Sequence, residues 1–72
     1  MSLGKPRSAF GRWLDERGIK QTWLAEQSGV SVSAISALAS GRAQAPTLKH
    51  AKQIIKVLQR FDAGISIEDF WG

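Results

Sequence analysis

The chain has 72 residues, with ten Lys and Arg against six Asp and Glu, and no Cys. That length limits it to one small domain burying about 60% of its unfolded surface, with little room for a deep catalytic cleft. The absence of Cys excludes a disulfide framework, a thiolate metal site and a Cys nucleophile.

A hydrophobic content of 43% beside 22% charged residues argues against disorder. No apolar run approaches the roughly 18 residues that a membrane span needs. The opening Met1-Ser2-Leu3-Gly4 lacks the apolar core of a secretory signal. Residues 1–7 read as a flexible arm or a cloning scar. Residues 8–72 read as one cytoplasmic, self-folding domain.

The elements punctuate cleanly. A first helix is predicted over about 8–17, with Phe10, Trp13 and Leu14 on one apolar face. Gly18 fits the left-handed position past its end, and Ile19 can fold back onto the last turn. A second helix follows over about 21–28, with Leu24 and Ala25 facing inward. Gly29 supplies the positive φ of a sharp turn, and Val30 follows as an apolar plug. Ser31 suits the N-cap of a third helix, about 32–39, whose inward residues are Ile35 and Leu38. Ser40-Gly41 ends it. Residues 42–46 read as a loop, with Pro46 holding its predecessor extended.

Thr47 can cap a fourth helix over about 48–61. Its predicted inward stripe is Leu48, Ala51, Ile54, Ile55, Leu58 and Phe61. Asp62-Ala63-Gly64 breaks it. Ser66, with Asp69 three residues on, forms a capping-box pattern for a short fifth helix over 67–71. No strand pattern survives, so the fold class is all-α, a compact five-helix bundle.

Charge is unevenly placed along this plan. The net +4 arises while no acid occurs between Gln27 and Phe61, a stretch holding Arg42, Lys49, Lys52, Lys56 and Arg60. Such a stretch suits either a solubilising face or a surface opposite a polyanion. Lys49, Lys52 and Lys56 share one side of the fourth helix and read as a solvated stripe rather than an accessory contact.

The informative unit runs from Gln21 to Gly41, QTWLAEQSGVSVSAISALASG. Small Ala25 lets the third helix cross the second closely. Gly29 turns the chain, while Val30, Ile35 and Leu38 plug the crossing. One face of the third helix is thereby left free to enter a major groove.

These residues resemble the lambda-repressor-like, Cro-type (XRE) helix-turn-helix family. Gln21, Leu24-Ala25, Gly29-Val30-Ser31, Ile35, Leu38 and Ser40-Gly41 carry the likeness. Pro46-Thr47-Leu48 and the segment from Gly64 to Phe70 match the starts of the last two helices, so the likeness covers about residues 8–71. It implies a sequence-specific regulator binding double-stranded DNA, with Val32, Ser33, Ala34, Ser36 and Ala37 reading bases. It implies phosphate contacts from Gln21, Ser40, Arg42 and, more weakly, Gln44. Helix five serves as a dimer contact in some relatives, which marks Phe70 and Trp71 as candidate homodimer residues. Many members bury an Arg–Glu pair where this chain has Leu14 and Ala39, an exchange that can be neutral or stabilising.

The predicted reading face carries no Arg, Lys, Gln or Asn, so the bidentate base pairings, each good for roughly 1–3 kcal/mol of discrimination, are unavailable. Phosphate contacts and DNA shape are expected to carry affinity. Trp13 and Phe70 read as core. Trp23 suits a core edge, a DNA backbone contact or a partner, and Trp71 suits core or a subunit interface. His50 stands alone on the fourth helix, with no second His to share a metal and no catalytic pairing around any Ser. No catalytic residue, metal, cofactor or small-molecule ligand is therefore expected. The chain reads as a stand-alone Cro-like regulator or the DNA-binding part of a longer protein. The competing reading is a protein-interaction module, such as an antitoxin, that docks on a protein partner through the same fold.

Overall fold

In the computed structural model, which describes residues 8–72, Ser8 caps α1 (Ala9–Glu16) by accepting from the Gly11 N–H at 3.0 Å. The arm expected over 1–7 lies outside the described residues. The end of α1 is a Schellman motif: Ile19 N–H donates to Leu14 at 3.0 Å, and Gly18 N–H to Asp15 at 3.1 Å. This closure needs the left-handed backbone that Gly18 adopts at φ +66°. Ile19 is thereby folded back to pack against the core.

Next come α2 (Gln21–Ser28) and α3 (Val32–Ser40), joined across Gly29 at φ +78°. A Cβ-bearing residue would be strained there, and the glycine turns the chain within one residue. Ser28 Oγ is buried and accepts the Val30 N–H at 3.2 Å, so the tight turn leaves that hydroxyl satisfied. Ser31 caps α3 through the Ala34 N–H, and Thr47 caps α4 (Leu48–Leu58) through the His50 N–H, each at 3.2 Å. At α5 (Ile67–Trp71), the Asp69 carboxylate reaches back to accept from the Ser66 N–H at 2.8 Å. No strand occurs among the described residues.

The helices bury one contiguous core. Phe10, Leu14, Leu24, Ile35, Ala39, Ile54 and Leu58 are each at most 1% exposed and form its centre. Leu14 and Ala39 both belong to it, so the place of an ion pair is taken by apolar packing. α3 packs on α1 and α2, while α4 packs on α2 and α5.

Two residues of the predicted α4 stripe lie elsewhere. Leu48 is 64% exposed, because the first turn of α4 is covered only on its Ala51 side. Phe61 is 49% exposed, because α4 stops at Leu58 and the chain tightens into a turn, with Phe61 N–H donating to Leu58 at 2.9 Å. Val57, absent from the predicted stripe, is buried instead. The stripe is wider than one line of residues because α4 faces two neighbours. Trp13 and Phe70 are half-buried rather than enclosed. They rest on the core from outside, with the Arg17 guanidinium 3.8 Å over the Trp13 ring.

Candidate nucleic-acid interface

The site is set by how α3 is held. Ile35, Leu38 and Ala39 fall at i, i+3 and i+4, and all three are buried. That fixes which side of the helix is left over. Val32 and Ser33 are exposed, Val32 to 43%. Ser36, Ala37 and Ser40 are half-buried on the helix flank. Ala34 is also half-buried and leans on the core, which makes it the least available of the five expected base-reading residues.

Two further contacts lock α3 from its C-terminal end. Ser8 Oγ donates to the Leu38 carbonyl at 2.6 Å and lies 3.1 Å from that of Ala39, while the Ser8 N–H donates to Ala39 at 3.1 Å. The start of α1 thus pairs the Ala39 carbonyl and adds a second donor to that of Leu38, which also accepts from the Gly41 N–H at 3.4 Å. Beside this clasp, a Cβ on Gly11 would collide with the Ala39 carbonyl oxygen. Glycine is required for α1 to approach α3 so closely. The sequence reading passed over Ser8 and Gly11. A signal was present, because a glycine inside a helix costs stability and calls for a packing reason.

The flanks of the exposed face carry the expected phosphate contacts. Ser40 Oγ donates to the Ala37 carbonyl at 3.3 Å and accepts from both Arg42 N–H (3.4 Å) and Arg42 Nε–H (3.2 Å). One hydroxyl therefore ties the Arg42 side chain to the end of α3 through Nε, not through the terminal nitrogens. Gln44 is exposed on the same loop. At the other flank, Gln21 is the first residue of α2. That helix begins with no side-chain cap and no acid in its first turn, so its open amides and dipole favour an anion. Lys49, Lys52 and Lys56 are exposed along α4. Phe70 and Trp71 sit apart from this face. Their rings pack on Phe10, with centroids 5.5 and 5.2 Å away.

Among the described residues, no three His, Cys, Asp or Glu side chains converge as a metal site, and no helix is long and apolar enough to cross a membrane. The family model described as helix-turn-helix matches residues 12–60, from α1 to just past α4. No curated protein and no solved structure matches the chain. The match takes in the whole α2–turn–α3 unit and most of the chain, and with the five-helix fold it shows that this chain belongs to the XRE-type, lambda-repressor/Cro-like helix-turn-helix family of DNA-binding regulators.

Proposed function

We propose that this chain is a transcriptional regulator that binds specific double-stranded DNA sites by inserting α3 into the major groove. The observation that carries the reading is the free face of α3, which combines short uncharged side chains with a tethered cation at one end. Val32 and Ala37 suit contact with thymine methyl groups, and Ser33 and Ser36 suit single hydrogen bonds to base edges. Short side chains also let the helix backbone approach the groove floor. Arg42, held by Ser40, supplies a charged phosphate contact, and Gln21 with the open end of α2 supplies a neutral one. Gln44 extends the phosphate set along the loop. With no bidentate reader on α3, discrimination rests largely on DNA shape.

The reading extends to pairs. Phe70 and Trp71 are only half-buried, so part of each ring stays open to a second copy at α5. A dimer made there would read two half-sites about one helical turn apart.

Selection of duplexes from a random pool, followed by fluorescence anisotropy on the winners, tests both parts. Recovery of a defined motif is expected, and the spacing of repeated half-sites reports the dimer. Failure to bind any duplex at low salt would overturn the proposal and favour a module that docks on a protein.

A further inference from the structure

One concave surface lies apart from α3. Arg17, Gly18, Ile19, Lys20, Trp23 and Phe61 line a groove of about 290 Å³, and none of these residues belongs to α3 or to loop 41–46. Its walls are apolar. Trp23 and Phe61 meet edge to face with centroids 5.8 Å apart, and Ile19 is half-buried beside them. Phe61 lies outside the core cluster and is 49% exposed, while Trp23 is half-buried and rests on the core.

The rim holds two cations, Arg17 and Lys20, with the exposed Glu16 carboxylate beside the first. The Arg17 guanidinium is held over Trp13 at 3.8 Å, with Nη1 3.5 Å from the Trp13 carbonyl and 3.8 Å from the Glu16 carboxylate. Lys20 is exposed at the N-cap of α2. No carboxylate lines the groove. Asp62, next to Phe61, turns its carboxylate back to accept from the Gly64 N–H at 3.0 Å.

We propose that this groove docks an acidic segment of a partner protein. One large apolar side chain of that segment seats against Ile19, Trp23 and Phe61, and flanking carboxylates lie on Arg17 and Lys20. Charge complementarity selects this occupant. A DNA backbone supplies the negative charge but has no apolar side chain to fill an aromatic socket. The basic α3–α4 side of a second copy is repelled by the rim. Lys20 is the N-cap of α2 and adjoins Gln21, so a duplex and the segment meet at that edge of the groove, whereas Ile19, Trp23 and Phe61 are left to the segment alone. The proposal does not rest on the DNA reading.

The test uses the full chain labelled with ¹⁵N and the peptide acetyl-Asp-Glu-Phe-Asp-Glu-amide as probe. Saturable amide shifts centred on residues 17–23 and 61 are expected. Replacing the peptide's Phe by Ala, or its acids by Asn and Gln, should each weaken binding about tenfold. Lys20→Glu and Phe61→Ser should each do the same while the rest of the amide spectrum is retained. Both replace exposed side chains, so the fold does not depend on them. Equal binding of the Ala peptide, shifts centred on α3 and Arg42, or no saturable shift at millimolar peptide would each overturn the proposal. So would a duplex that shifts Ile19, Trp23 and Phe61 as strongly as the peptide.

Discussion

Gly11 and Ser8 show how much of the site's rigidity rests on two small side chains. In an exposed helix, Gly→Ala gains up to about 1 kcal/mol from helix propensity. Here the added methyl would collide with the Ala39 carbonyl oxygen, and overpacking of this kind costs about 1–3 kcal/mol. Gly11→Ala should therefore lower stability by a net of about 1–2 kcal/mol, seen as a lower urea midpoint; a raised midpoint would show that α1 can retreat from α3 freely. Ser8→Ala removes both the cap of α1 and a bond to the end of α3, and should cost about 1–2 kcal/mol in the same assay. Arg42→Ala should leave stability unchanged and weaken binding about equally on all duplexes. Val32→Ala or Ser33→Ala should mainly alter which duplex is preferred, and anisotropy on matched and mismatched sites separates the two behaviours.

Among the elements, the turn between α2 and α3 and both ends of α3 were legible to within a residue because local chemistry marks them. Ser31, Gly29 and Gly41 act through backbone geometry within one turn, and that information lies in the sequence itself. The ends of α4 were less legible. Leu48 and Phe61 continue its apolar spacing, but spacing says nothing about where neighbouring helices stop. Val57 is buried for the complementary reason, since α4 meets α5 as well as α2. The first turn of α4 also carries a local conflict. It has no acid and holds Lys49 at the positive end of the helix dipole. Lys49→Glu should raise the stability of the free protein by about 0.3–1 kcal/mol, seen as a higher Tm at low salt and a smaller gain at high salt.

For the whole molecule, the acid-free stretch from 27 to 61 coincides with the proposed DNA side and α4. Binding should weaken with a log–log salt slope of about −0.9 for each phosphate neutralised. Arg42→Ala should make that slope shallower by about one, whereas Lys56→Ala, at the far end of α4, should leave it unchanged. Equal changes in both variants would show that the whole stripe faces the duplex. The general architecture could be read from residues 8–72 because the starts of α1, α3, α4 and α5 each carry a Ser or Thr cap. The Ser8–Ala39 clasp could not, since it joins residues 31 apart and depends on the final approach of two helices.

That close approach also limits how the protein can be altered. The atoms nearest a Cβ at position 11 are the Ala39 O, C and Cα, all of them backbone. Trimming Ala39 to glycine would therefore not make room. Nor can the carbonyl swing aside, because it already accepts from the Ser8 N–H. Position 11 thus has no compensating partner. In a random library, glycine should return there whatever stands at 39, and the two positions should show no pairwise covariation.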